Sequence, residues 1–255
     1  MRNIWTICRR ELYAYFVSPI AWVLLAIFAL LSGYFTYLIT SYFVQTSLAS
    51  QMRGEGMPMN LNEQVITPLF SNIAVIGLFL IPLITMRLFA EEKRQGTIEL
   101  LATSPVHDLE IVIGKWLSAV IMYGALLFVL LLDYSFLFLY GQPDWKPVVT
   151  GFLGVLLEGA CLLALGTFIS TTTKNQIIAG AVGFSLALLL WILNWTTSFG
   201  SSPTVQVLGY LSILSHLDSF SRGVIDSKDV IYYLSMIFLG LFLTTRSLES
   251  LRWRA

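Results

Sequence analysis

The sequence predicts an all-α integral membrane protein that crosses the bilayer six times. Of its 255 residues, 56% are hydrophobic and 12% are charged, and its mean hydropathy is +0.77. Soluble globular domains carry about 25% charged residues, so this composition excludes an ordinary soluble protein. The apolar residues form continuous runs, whereas the strands of a membrane β-barrel alternate apolar and polar residues. Spanning helices are therefore predicted.

The predicted spans are placed by length, since a helix needs roughly 20 apolar residues to cross ~30 Å of hydrocarbon. They cover residues 20–42, 66–86, 116–140, 148–170, 177–199 and 230–245. The last run is short, and we expect snorkelling of Arg246 and interfacial positions of Tyr232 and Tyr233 to extend it. Residues 1–255 are thus predicted to form a single transmembrane domain.

The distribution of cations predicts the orientation. Eleven of the 15 Lys and Arg residues fall on the side of the termini, and four fall on the other side. Cytoplasmic loops are enriched in Lys and Arg, so both termini are predicted to be cytoplasmic. The apolar stretch after Pro19 is too long for the apolar core of a signal peptide, which argues against cleavage.

Two segments outside the spans are predicted to lie at the membrane surface. Residues 1–17 are predicted to form an amphipathic interfacial helix, because apolar residues recur at Ile4, Cys8, Leu12 and Phe16. A simple charged flank that sets topology is the alternative. In the outer segment, 200–229, the apolar stretch 205–217 is too short to cross, which predicts a re-entrant or interfacial element entered from outside.

The inner loop, 87–115, has the pattern of an ordered element. Gly96 permits a sharp turn, and a short helix is predicted over 97–103, before Pro105. Ile98 and Leu101 are apolar residues on this helix and need a surface to cover them. That surface is either the membrane interface or a groove on a partner protein.

Several classes of site are not supported by the sequence. Zero net charge gives no basic field for nucleic acid. Two cysteines, Cys8 and Cys161, and two histidines, His107 and His216, stand too far apart for a zinc site or a disulfide framework. No catalytic or phosphate-binding motif is present, so we expect neither an enzyme nor a cofactor in this chain. If nucleotide powers the protein, it binds another chain.

Two acidic residues fall within the apolar runs. Glu158 lies near the midplane of the fourth span, where a carboxylate is costly. It is either a residue of a translocation path or coupling switch, or a protonated side chain that hydrogen-bonds a neighbouring helix. Asp133 is predicted to lie near the outer interface. Gly180 and Gly183 could permit close helix approach in the fifth span.

The inner-loop sequence 91–105 (EEKRQGTIELLATSP), together with the amphipathic helix and six spans, resembles the permease subunits of ABC type-2 transporters. The resemblance implies a coupling helix that docks on an ATPase subunit. The residues it places at that contact are Glu91, Glu92, Lys93, Gly96, Thr97, Glu99, Leu100 and Leu101. Ile98 joins Leu100 and Leu101 as an apolar plug within a charged rim.

Residues 220–235 and 17–21 resemble the gliding-motility-associated branch of that family, and the permease of nitrous-oxide reductase maturation is a second candidate branch. The resemblance implies two permeases, two ATPases that bind ATP and Mg, a membrane-anchored accessory protein with an outer domain, and a bacterial inner membrane. It also implies a dimer interface at the first and fifth spans, which lack charged residues. The expected function is ATP-driven export or mechanotransmission. A secondary transporter or channel that uses Glu158 is the rival.

Overall fold

The computed structural model describes residues 2–53, 60–98, 106–141, 143–195 and 202–252, and these residues form helices and turns without a strand. The helices are α1 (Arg2–Val17), α2 (Pro19–Met52), α3 (Thr67–Thr85), α4 (Ala90–Gln95), α5 (Asp108–Gly141), α6 (Trp145–Thr172), α7 (Gln176–Ile192), α8 (Pro203–Leu211), α9 (Leu217–Ser221) and α10 (Ser227–Arg252). A π-helical turn, Asn62–Ile66, leads into α3.

Six helical stretches among the described residues are long and apolar enough to cross a membrane, which confirms the six predicted spans. They are Pro19–Met52, Asn62–Gln95, Asp108–Gly141, Trp145–Thr172, Gln176–Trp195 and Ser227–Ser250. The predicted end of the fifth span, 199, lies outside the described residues. The sixth span is not short, because its helix continues through polar residues at both ends that interrupt the hydropathy pattern but not the backbone.

The N-terminal helix α1 packs along α5, and its covered face differs from the predicted one. Cys8 and Tyr15 are buried, whereas Phe16 is 37% exposed. A strict spacing of four drifts around a helix of 3.6 residues per turn, so position 15 faces inward at the fourth step. Ser18 then caps α2 by accepting a hydrogen bond from the N–H of Ile20, and Pro19 occupies the first turn.

Helix α6 lies at the centre and packs against α3, α5, α7, α9 and α10. Its closest neighbour is α10, where a methyl group on Gly240 would stand 2.8 Å from the backbone carbonyl carbon of Ala164. At Gly180 and Gly183, where close approach was predicted, the nearest atoms would be 3.4 and 3.6 Å away, which is ordinary contact. Close approach to a neighbouring backbone is found instead at Gly240, between α6 and α10, and at Gly114, between α1 and α5.

The outer segment consists of the short helices α8 and α9, which are too short to cross a bilayer. Two tyrosines of α10 hold it. Tyr232 donates to the carbonyl of Leu211 at 2.8 Å, and Tyr233 donates to that of Ile213 at 2.9 Å. Both tyrosines are buried, so they fasten the outer segment to the last span rather than extending the span at the interface.

His216 is the centre of this attachment. Its Nδ1 lies 2.7 Å from Oδ1 of Asp229, its Nε2 lies 2.9 Å from the carbonyl oxygen of Tyr210, and its ring stacks on Tyr232 at 3.9 Å. A carbonyl oxygen can only accept, so Nε2 carries a proton. The histidine is thus not solitary, as its position in the sequence indicated, but bridges the outer segment to the start of α10.

We expect His216→Phe to loosen the outer segment. Phenylalanine keeps the stack on Tyr232 but leaves Oδ1 of the buried Asp229 and the carbonyl of Tyr210 without their partner, while Oδ2 of Asp229 still accepts from Ser219. Each unmet group costs about 1–3 kcal/mol, so the melting temperature of the detergent-solubilised protein should fall by several degrees. His107→Phe, at an exposed position, is the matched control, and equal melting temperatures for the two variants would contradict this prediction.

Candidate functional site

The helix α4 follows α3 after a short turn, at the end of the second spanning stretch, and carries charges that match its dipole. Glu91 and Glu92 lie in its first turn, and Lys93 and Arg94 lie in its last. It ends at Gly96, whose φ of +73° is left-handed, and this confirms the sharp turn predicted there. Of the helix predicted over 97–103, residues 99–103 lie outside the described residues.

The buried side chain of Lys115 connects α4 to two other helices. Its Nζ, on α5, lies 3.0 Å from Oε1 of Glu11 on α1 and 2.9 Å from Oε1 of Glu92 on α4. It also donates to the carbonyl oxygen of Leu88 at 2.7 Å, in the turn before α4. Glu11 and Leu88 thus accept hydrogen bonds from this ammonium group, and Glu92 adds an ion pair. The side chain is 1% exposed.

A second cation completes the cluster. Nη2 of Arg10 lies 2.7 Å from Oε1 of Glu11 and 3.1 Å from Oε1 of Glu92, so two cations face two carboxylates. Burial alone would raise the pKa of Glu11, but Lys115 and Arg10 hold it below its ordinary value. Glu11 therefore stabilises the fold at pH values above its ordinary pKa. This contribution is lost as the pH falls through the lowered pKa.

The end of α6 caps the start of α4. Oγ of Ser170 accepts hydrogen bonds from the backbone N–H groups of Phe89 and Ala90, each at 3.1 Å. These are among the donors that a helix N-terminus cannot satisfy internally. In addition, Lys93 donates to the carbonyl oxygen of Thr171. Helix α4 is thus attached to α6 at its first and second turns.

The end of α3 is held against α1 by a separate set of contacts. The hydroxyl of Tyr15 donates to the carbonyl oxygen of Ile84 at 2.9 Å, and the Arg87 guanidinium lies over the Tyr15 ring at 5.2 Å. Nε of Arg87 is 3.7 Å from Oε2 of Glu91. Helices α1, α3, α4, α5 and α6 therefore meet around the inner loop.

The residues assigned to the coupling contact divide into two groups. Glu92 and Lys93 point into the helix bundle, and Glu91 pairs with Arg87 and Arg94. Residues 94–97 are exposed, and Ile98 packs partly against the core. Glu99, Leu100 and Leu101 lie outside the described residues.

Sequence reasoning missed Glu11, Lys115 and Ser170 as members of this site. The usable signal was Glu11, which falls on the same helical face as Cys8 and Tyr15 at spacings of three and four. A charge on a buried face needs a buried partner of opposite sign. Nothing in the sequence identified that partner, since Glu11 and Lys115 are 104 positions apart.

The intramembrane Glu158 is 1% exposed on α6. Neither carboxyl oxygen has a hydrogen-bond partner among the described residues, so the hydrogen bond to a neighbouring helix that one interpretation required is not found there. Burial without a partner strongly disfavours the charged form of a carboxyl group.

The comparisons with known proteins agree with this architecture. Residues 5–229 match the family model described as ABC-2 family transporter protein. A comparison with curated proteins gives no match. The family match covers most of the chain, including α1, the inner loop and the outer segment, so this six-span protein belongs to the ABC-2 family of transporter permeases.

Proposed function

We propose that the chain is the permease subunit of a complex in which a separate ATPase subunit, holding ATP and Mg, drives export or a transmembrane conformational change. The observation that carries the proposal is the Lys115 cluster. It makes α4 part of one body with α1 and α5, through bonds shielded from water. Family membership supports the ATPase partnership.

The coupling assignment gives the two groups of loop residues different roles. Glu92 and Lys93 are the permease side of the connection, since they bond to α5 and α6. Residues 94–97, together with the segment through Leu101, are the side that contacts the ATPase. A push on this surface would reach α3 and α5 along the chain, and α1 and α6 through the side-chain bonds.

The low burial of two spans supports the presence of a second permease subunit. Within the monomer, 17% of the first span and 22% of the fifth are buried, against 72% of the second. An unpartnered, charge-free helix suits either lipid or a second copy, and we place the permease dimer at these two spans. Two ATPases then complete the complex. We place it in the bacterial inner membrane, with both termini of the permease in the cytoplasm. The gliding-motility branch, with its outer accessory protein, is the proposed subgroup.

Lys115→Met tests the cluster. Methionine keeps the length of the side chain but leaves the partly exposed carboxylates of Glu11 and Glu92 with Arg10 alone, which should cost less than the roughly 3–5 kcal/mol of a fully buried pair. We expect a lower melting temperature and loss of ATP hydrolysis by the reconstituted complex. Lys174→Met, an exposed lysine in the turn after α6, is the control, and identical behaviour of the two variants would remove the cluster from the mechanism.

Leu101→Asp tests the ATPase contact. A carboxylate in an apolar interface costs several kcal/mol, roughly the effect of losing a hot-spot residue, whereas Glu99→Ala at the rim should cost less. The measurements are co-purification of the ATPase and ATP hydrolysis by the reconstituted complex. If correctly inserted Leu101→Asp protein retains both, this helix is an interfacial anchor and not a coupling helix.

Glu158 supports the rival function of a proton- or cation-driven transporter, because it is buried near the midplane with unbonded oxygens. Under our proposal, Glu158→Gln leaves assembly and ATP hydrolysis intact, since an amide resembles a neutral carboxyl group. Glu158→Lys impairs assembly, because a buried cation costs several kcal/mol there. Flux driven by a proton gradient in the isolated chain, abolished by Glu158→Gln, would favour the rival instead.

A further inference from the structure

A groove of about 640 Å³ lies between α2 and α5, away from the Lys115 cluster. Its α2 wall carries polar side chains at helical spacing, and these are Thr36, Tyr37, Thr40, Ser41 and Gln45. Asp133 faces them from α5. The α2 helix has no charged residue, so Asp133 is the charged residue of the groove lining.

Three oxygen atoms in the groove are shielded from solvent and have no hydrogen-bond partner among the described residues. They are Oγ1 of Thr36, Oγ1 of Thr40 and Oδ2 of Asp133. Hydroxyl groups inside helices usually bond to a carbonyl three or four residues earlier. Thr46 of α2 does so at 2.7 Å and Ser135 of α5 at 2.6 Å. The two groove threonines do not, and their acceptor capacity remains open.

We infer that this groove binds an amphiphile with a primary ammonium head group. The Asp133 carboxylate supplies the opposite charge, and the Thr36 and Thr40 hydroxyl oxygens supply two further acceptors. Val44, Leu132 and Phe136 give apolar surface for the chain. The protein satisfies an ammonium group in the same way at Lys115, with three oxygens from separate segments.

The position of the groove along α5 agrees with binding of a head group near the membrane surface. Asp133 is 18 residues beyond Lys115 on the same helix, which is about 27 Å and close to the thickness of the hydrocarbon core. With the Lys115 cluster at the inner surface, Asp133 lies near the outer one. The ligand is either a bilayer lipid such as phosphatidylethanolamine or a small amphiphilic amine. The inference does not depend on an ATPase partner.

The full chain reconstituted with equal amounts of phosphatidylethanolamine, phosphatidylcholine and phosphatidylglycerol provides the test. After detergent extraction, the retained lipids are quantified by mass spectrometry. We expect wild-type protein and the Ser135→Ala control to retain phosphatidylethanolamine roughly tenfold over the other two, the discrimination expected of one charge-assisted hydrogen bond. Phosphatidylcholine is the informative competitor, because it is zwitterionic like phosphatidylethanolamine but its quaternary ammonium group has no N–H donor.

Asp133→Asn should abolish the preference while leaving the melting temperature close to that of wild type, and Thr36→Val with Thr40→Val should reduce it. A second arm measures binding of dodecylamine against dodecyltrimethylammonium in phosphatidylcholine nanodiscs. Phosphatidylethanolamine retention that depends on Asp133 identifies a lipid. Selective dodecylamine binding that depends on Asp133, without lipid retention, identifies a small amine. Equal retention of the three lipids with no Asp133-dependent binding of dodecylamine overturns the inference.

Discussion

The arrangement of the inner side depends on how the Lys115 ammonium group is satisfied. A lysine that is 1% exposed needs oxygen partners that replace water, and these come from α1, α4 and the turn between α3 and α4. The preceding residue makes this possible. A methyl group on Gly114 would stand 3.0 Å from the carbonyl oxygen of Ile4, so α1 crosses α5 at close range beside the lysine. The Gly114-Lys115 pair, which lacks the pattern of a phosphate-binding loop, therefore fixes a helix crossing.

Helix α6 connects this cluster to the opposite end of the molecule. At its last turns, Ser170 caps α4, and near its first turn Thr150 donates to the carbonyl oxygen of Phe220 in α9 at 2.6 Å. Along its length it packs tightly against α10, which holds the outer segment through Tyr232, Tyr233 and Asp229. Displacement of α4 would thus be passed to the outer segment by packed helices, without any change in secondary structure.

Hydropathy was sufficient to predict the spans, because a bilayer requires long continuous apolar helices and few sequences can imitate them. It was not sufficient for the contacts between spans. Glu11 and Lys115 are 104 positions apart in the sequence. His216 precedes α9, whereas its partner Asp229 lies in α10. Periodicity placed Phe16 on the apolar face of the interfacial helix, whereas Tyr15 is the buried residue, because spacings of four drift from the helical repeat of 3.6. The ends of the sixth span were missed because the helix continues through polar residues, among them the exposed Lys228 and Arg246, that interrupt the hydropathy pattern.

The buried polar side chains fall into two kinds, those whose polar atoms have partners in the protein and those that keep an oxygen without one. The Lys115 ammonium and both ring nitrogens of His216 have protein partners, so they hold helices in one geometry, and changing them should act first on stability. Glu158 and Asp133 retain oxygens without partners among the described residues. A buried acceptor left open costs free energy that a proton or ligand can recover. Lys115 and His216 thus fix the helix arrangement through which motion passes. At Glu158 and Asp133, by contrast, binding of a proton or a ligand can change the state of the protein.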